Sequence, residues 1–366
     1  MKIAIIGLSP NMGGVETFII NMYRQLKKDN HQFFFLTAAD TICYENEILK
    51  GNDKIIHYTP RRNNYVLFRK SLKEIFMNNN FDVFWLNCCS LSCIDELKYA
   101  YKTNVPIRII HSHNSENMGS KLTNLLHLYH KKVIGKYITH SFACSDVAAK
   151  WMFPKDVYDK TILLHNSINA HMFSYDYNTN LKIRKQLNIS ENEIVVGNVG
   201  RFHFQKNHIF LLKVFNEYKK INPKVKLVLC GTGDLKVDIL KVITKYRIND
   251  DVIILENQSN MNEIYQIFDL FLFPSLFEGL PFALIEAQAA GIPCLISDTI
   301  SREICITNLI YYESLDNTEI VWAEKLHSLE TKMKVNTLPL IEQAGYDIKA
   351  CRESFYKAIK YSMEDN

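Results

Sequence analysis

Nowhere does the 366-residue chain approach the ~20 consecutive apolar residues that a membrane-crossing helix requires; runs such as Val252 to Leu255 and Leu270 to Phe273 stop far short. The apolar opening, Lys2 to Leu8, leads straight into Pro10, Asn11 and a glycine pair without a small-residue cleavage site, so a first buried strand is expected rather than a signal sequence. Nine cysteines are present but no Cys-x-x-Cys pair; Cys43, Cys144, Cys230, Cys294, Cys305 and Cys351 stand singly. That argues against a disulfide framework and fits a reduced, cytoplasmic setting in which cysteine serves as a small hydrophobe. Low-complexity tracts and short-period repeats are missing, which excludes a solenoid. Gly-x-Gly-x-x-Gly is absent, and no acidic residue closes the second apolar run near Leu36–Ala38, so NAD binding is not expected. A basic stripe with interleaved aromatics is lacking too, so nucleic acid is not expected as a partner.

With 47% hydrophobic and 22% charged residues, the composition is that of a folded globular protein, and the length suits two domains. The net charge of +4 is unevenly divided. Residues 1–165 carry 21 Lys and Arg against 14 Asp and Glu, a balance of +7, and residues 166–366 carry 22 against 25, a balance of −3. The first half is therefore expected to face something anionic or simply to be solvated. Apolar runs of strand length alternate with helix-like segments throughout, the pattern of parallel sheets built from strand-helix-strand units. The first series is Ile3–Gly7, Phe33–Leu36, Lys54–Tyr58, Val83–Leu86, Ile107–His111 and Phe142–Ser145. The second is Ile194–Gly200, Val225–Gly231, Val252–Leu255, Leu270–Pro274 and Pro293–Ser297. Two doubly wound α/β domains follow, over 1–170 and 171–340, with Ala170–Lys182 as linker, a short helix over Leu181–Leu187, and a closing segment 341–366 whose helix returns to the first domain.

Three stretches carry chemistry. The first, Gly7 to Glu16, places Gly13 and Gly14 between a strand and a helix, where bare amides and the helix dipole suit a phosphate. The second runs from Gly197 through Arg201 and Lys206 to His208, two cations at a strand's carboxyl end, able to neutralise a diphosphate leaving group. The third is Phe273 to Gly291, in which Pro281 fits a helix start, Glu278 stands before it and Glu286 lies in the second turn among apolar residues. A carboxylate there needs a partner, and ligand hydroxyls supply one. The amides of Gly279 and Leu280 are expected to meet phosphate.

On these motifs the chain resembles the retaining glycosyltransferases of family 4 over most of its length. Glu278 and Glu286 match the family's Glu-x7-Glu pair, Arg201 and Lys206 its phosphate-binding cations, and Gly13-Gly14-Val15-Glu16 its first glycine loop. Gly-Gly-Val-Glu-Thr-Phe, His-Ser-His-Asn and Gln-Lys-Asn-His look like the bacterial exopolysaccharide and capsule branch. The resemblance implies a GT-B fold, two Rossmann-like domains facing across a cleft, and transfer of a hexose or N-acetylhexosamine from a UDP-sugar to a saccharide or lipid-linked saccharide without a cofactor. It implies that Glu286 holds the ribose, Glu278 the sugar hydroxyls, and Gly14 lies against the distal phosphate. Asn114, Gly231 and Asn257 belong with the donor set. His113 looks like the histidine beside the reacting sugar, with His111, on the same strand face, as its rival. Two departures stand out: Asn166-Ser-Ile-Asn169 replaces the family's Asn-Gly-Ile-Asp, and the second glycine loop reads Gly231-Thr-Gly233. Asp-x-Asp, the metal-binding signature of the other major glycosyltransferase fold, is absent. Alternatives on the same fold are a catalytically silent partner subunit and a sugar-nucleotide epimerase.

Two basic-apolar clusters suggest contact with the inner membrane surface. Arg61, Arg62, Arg69 and Lys70 flank Tyr65 to Phe68, and Lys131, Lys132 and Lys136 accompany Leu125, Leu126, Leu128 and Tyr129. The alternative is that these apolar residues pack inward on the sheet.

Overall fold

A computed structural model describes residues 1–114, 120–258, 260–278, 280–330 and 334–364. It consists of two units, one formed by Met1–Ser167 with Ile348–Asn366 and the other by Ile168–Asp347. Among the described residues, unit 1 holds seven parallel strands: β1 (Lys2–Ile6), β2 (Gln32–Thr37), β3 (Lys54–His57), β4 (Val83–Cys88), β5 (Ile107–Ser112), β6 (His140–Ala143) and β7 (Ile162–Leu163). Their order is β3-β2-β1-β4-β5-β6-β7. Unit 2 holds six: β8 (Ile194–Val199), β9 (Val225–Cys230), β10 (Val252–Leu255), β11 (Leu270–Phe273), β12 (Cys294–Ser297) and β13 (Ile310–Glu313), in order β10-β9-β8-β11-β12-β13. Helices cover both faces, so central strands such as Phe33–Leu36 and Leu270–Phe273 are buried at every residue.

In each unit the strands step outward on one side of the first strand and then resume on its other side. The reversal falls between β1 and β4 in unit 1 and between β8 and β11 in unit 2. Beside such a reversal, the loops leaving the carboxyl ends turn away from each other and open a crevice.

Several boundaries differ from those read in the sequence. The units part at Ser167/Ile168 and Asp347/Ile348. Ala170–Lys182 is no linker: Ala170 and Phe173 are buried in the core of unit 2, and Asp176 caps the helix Tyr177–Gln186 by accepting from the amides of Asn178 (3.3 Å) and Thr179 (3.1 Å). The polar composition there is that of a helix start. The closing segment is also split, because Ile341 is buried in unit 2 and Gly345, at φ +79°, ends the helix Leu338–Gln343. At the boundary, Ile168 N donates to Tyr346 O (3.0 Å) and Ala170 N to the Asp347 carboxylate (3.2 Å), so both ends of unit 2 lie side by side.

The helix Ile348–Glu364 then completes unit 1. Phe355 stacks on Trp85 with ring centroids 5.0 Å apart, Arg352 pairs with Asp29 at 2.6 Å, and the Tyr356 hydroxyl donates to Asp29 at 2.6 Å. Phe355→Ala is expected to cost unit 1 about 3–5 kcal/mol, the usual range for a deleted core phenyl ring. Hydrogen exchange should show lost protection in β1, β4 and β5 while β8, β9 and β11 keep theirs.

Candidate active site

In unit 2 the candidate residues gather at the carboxyl ends of β8 to β11, around the strand-order reversal. β8 ends at Val199, and the chain passes Gly200, Arg201 and a short turn, Phe204–Lys206, before the helix His208–Ile221. A Cβ on Gly200 would stand 3.1 Å from Lys206 Cε, so the lysine stem lies along a bare backbone. Lys206 Nζ sits 2.7 Å from Glu278 Oε1 and 4.6 Å from the centre of the Phe273 ring. Both side chains are nearly covered, at 16% and 9% exposure. The Lys206–Glu278 contact is a charge contact more than an aligned hydrogen bond, since it does not satisfy the Oε1 lone pairs. Two residues expected to act separately are thus already paired.

Gln205, which the sequence reading passed over, holds this arrangement. Its Nε2 donates to Phe277 O (2.8 Å) and its own carbonyl accepts from Leu276 N (2.8 Å), lashing the β11 loop to the β8 loop. Its place in Gln-Lys-Asn-His was the available signal. Arg201 is exposed, and its guanidinium makes no ion pair or hydrogen bond with the described residues, so it remains open to an anion.

Gly231, at the end of β9, has φ +156°, and a Cβ there would lie 2.0 Å from Gly200 O. Gly233, at φ +155°, would place its Cβ 2.5 Å from Phe202 O. No side chain fits at either point, which brings the two loops into backbone contact. Asn257, just past β10, is exposed in the left-handed region at φ +51°.

Pro281 occupies the N-cap position of the helix Phe282–Ala289, and Glu286 lies in its second turn. Burial pushes the Glu286 carboxyl up to about 7, offset in part by the Tyr265 hydroxyl. That hydroxyl also reaches Ala283 O at 3.1 Å. Glu286 nonetheless keeps a partly exposed edge. Leu280, expected to meet phosphate, is buried and already has a contact of its own. Gly279 lies outside the described residues.

Unit 1 repeats the layout at its own reversal. The loop from Gly7 leads to Gly13, the N-cap of the helix Gly14–Leu26, which has no side-chain cap. Glu16, in the first turn, is buried and accepts from Ser9 Oγ at 2.7 Å. A Cβ on Gly13 would lie 2.8 Å from Glu16 Oε2. The helix terminus therefore already has a carboxylate of its own, favoured there by the dipole; Glu16 shapes the loop. At the end of β5, His111 is wholly buried among Trp85, Phe18 and Phe142, whereas His113 keeps an open edge. The two rings lie 4.1 Å apart, as expected for one strand face.

His113 Nε2 meets Asn87 Oδ1 at 3.0 Å, and Asn87 Nδ2 donates to Ile6 O at 3.2 Å. Because the amide nitrogen faces a carbonyl, Oδ1 is the acceptor. His113 then carries its proton on Nε2 and leaves Nδ1 as an acceptor. Burial drives its pKa down to about 3, so the ring is neutral at ordinary pH. Asn87 was missed in the sequence, although a polar residue at the end of an apolar strand was a signal. Asn114, next along the chain, is partly buried and has contacts of its own. Beyond β1, β2 and β3 lies a cavity of about 320 Å³ lined by Pro10, Ala38, Asp40, Arg62 and Asn63, among others.

Two doubly wound units, with cations and carboxylates facing one crevice at the reversal of the second, define the GT-B class of glycosyltransferases. Comparison with known proteins agrees. Residues 179–308 match the family described as glycosyl transferases group 1. EpsF of Bacillus subtilis is 31% identical over 325 residues, covering 86% of this chain and 84% of its own. The chain belongs to this glycosyltransferase family. An Escherichia coli enzyme named UDP-Gal:alpha-D-GlcNAc-diphosphoundecaprenol alpha-1,3-galactosyltransferase is 23% identical over 325 residues, 84% of this chain and 82% of its own. The crystal structure of Anabaena HepE in complex with UDP superposes with a TM-score of 0.79 at 15% identity, over 99% of this chain and 100% of that one, a likeness of fold.

The Glu286 shift has a definite sign. Its folded pKa, about 7, lies above the ordinary carboxyl value of 4.5, so its contribution to stability is complete below 4.5 and is lost as the pH rises through 7. Urea unfolding of the free protein at pH 5 and pH 8 is expected to show this decline, and Glu286→Gln should flatten it.

Proposed function

We propose that the protein transfers a hexose or N-acetylhexosamine from a UDP-sugar to a saccharide during cell-surface polysaccharide synthesis, with retention at the transferred carbon and without a metal. The observation that carries the reading is the convergence of Arg201, Lys206, Glu278 and Glu286 on the carboxyl ends of β8 and β11. On this reading the diphosphate takes Lys206 and Arg201 as counter-ions, which releases Glu278 to the sugar hydroxyls, while the ribose hydroxyls donate to Glu286. Charge appears on the leaving diphosphate as the glycosidic bond breaks, and fixed cations lower the barrier by meeting it there. His113, neutral and held in one tautomer by Asn87, positions a sugar hydroxyl through Nδ1 and does not act as the base. Retention is carried over from the family resemblance.

Unit 1 is read as the acceptor side. Its cavity beyond β1–β3 offers Asp40 and Asn63 to sugar hydroxyls and Arg62 to an anionic group. A lipid-linked saccharide fits that chemistry, as does the acceptor in the name of the Escherichia coli relative. It would bring the enzyme to the inner face of the cell membrane. The +7 balance of residues 1–165 supports such a location. Of the first basic cluster, Tyr65, Val66 and Leu67 are exposed, whereas Phe68 is buried in the core and is withdrawn from that surface.

Lys206→Ala and Arg201→Ala are each expected to lower turnover by roughly 100-fold or more; thermal stability should change little in Arg201→Ala but fall in Lys206→Ala, which strands the nearly covered Glu278 carboxylate without its counter-ion. Nucleotide release from a panel of sugar nucleotides is the measurement, and wild-type rates in both variants would place the diphosphate elsewhere. Treatment with EDTA should leave the rate unchanged. A rate abolished by chelation and restored by manganese would overturn the metal-free reading.

A further inference from the structure

Amphipathic helices on a globular domain normally turn their apolar side to the core. The helix Lys121–Lys131 of unit 1 is mounted the other way round. It presents His127 and His130 to the domain, both buried, while Leu122, Leu125, Leu128 and Tyr129 are 66%, 64%, 47% and 64% exposed. The inward histidines lock this orientation. His127 Nδ1 accepts from Leu91 N at 3.0 Å, its Nε2 donates to Trp151 O at 3.3 Å, and its ring stacks on Trp151 with centroids 4.2 Å apart. His130 Nδ1 donates to Leu91 O at 2.6 Å. Rolling the helix to bury its leucines would strip both backbone groups of Leu91 of their partners. The outward apolar stripe is therefore built into the fold.

Its charge identifies the occupant. At 100° per residue the four apolar side chains span roughly 120° of arc, and Lys121 and Lys132 fall within that arc at the two ends of the helix. Lys136 follows one turn on. Between Glu116 and Asp146 the chain carries no acidic residue. A second copy of the chain would set lysine against lysine, whereas an anionic bilayer surface answers both the leucines and the cations. Among the described residues no helix is long and apolar enough to cross a membrane, so this one would lie in the head-group layer. We propose that the stripe Leu122, Leu125, Leu128 and Tyr129 is the surface by which unit 1 docks on anionic phospholipid. This rests on the lipid-linked acceptor reading for its purpose, but on the helix alone for its chemistry.

The test is co-sedimentation of the full chain with phosphatidylglycerol vesicles and with phosphatidylcholine vesicles. Wild type is expected to bind the first, to release in high salt, and to bind the second weakly. Leu125→Glu with Tyr129→Glu, and separately Lys121→Glu with Lys132→Glu, should each reduce binding about tenfold or more. Nucleotide release from the donor in vesicle-free solution should be unchanged, since none of these residues belongs to the site. No binding by wild type, equal binding to both lipids, or a fall confined to Val66→Glu in the helix Tyr65–Asn79 would overturn the proposal. So would light scattering that shows a dimer dissolved by Leu125→Glu without vesicle binding. Vesicle binding by a chain that releases nucleotide from no sugar nucleotide would defeat the proposed function and leave the docking surface standing; turnover without vesicle binding would do the reverse.

Discussion

Everything in the site depends on what happens where two neighbouring parallel strands stop sharing hydrogen bonds. At each reversal of strand order the central pair parts, and backbone carbonyls that the ladder would have satisfied are left without strand partners. Both units solve this with an asparagine. Asn87, near the end of β4, donates to Ile6 O of β1, and Asn198, near the end of β8, donates to Leu272 O of β11 at 2.8 Å. Each side chain extends the ladder by one rung past the last backbone pair and then yields to a loop. In unit 1 the same amide goes on to hold His113, so strand separation and histidine orientation are one event.

Electrostatically, the crevice of unit 2 is neither empty of charge nor strongly cationic. Lys206 is neutralised by Glu278, Arg201 stands open, and Glu286 is held near the point of protonation by its surroundings. A covered ion pair returns little net stability, because desolvation offsets most of the attraction. Its value here is that neither group must be brought in from water when a ligand arrives. On the proposed reading, an incoming anion and an incoming hydroxyl cluster would each find a partner already stripped of solvent, and the exchange of partners would couple recognition of the diphosphate to recognition of the sugar.

The sheets were legible because parallel strands covered on both faces leave continuous apolar runs, as in Phe33–Leu36 and Leu270–Phe273. Two strands left no such trace. β7 is two residues long, and β13, Ile310–Glu313, is an edge strand with every residue only partly buried. The stretch after Ile168 was misread because asparagine and threonine near an aspartate signal a helix cap as much as a linker. The residue types of the site were readable, but the Lys206–Glu278 pairing was not, since it joins loops 72 residues apart that only the reversal of strand order brings together. The helix Lys121–Lys131 shows the limit in another way. Its amphipathic period was plain, yet which side faces inward was decided by Leu91 and Trp151, far away in sequence.

The return of the last helix to unit 1 bears on assembly during synthesis. Unit 2 is one continuous stretch and has all its strands once residue 347 has emerged, whereas unit 1, although made first, lacks the cover over Trp85 and Phe142 until Phe355 arrives. Domains generally fold from the amino terminus as they are synthesised. In this chain the aromatic face of the first unit stays uncovered until the second has been fully translated.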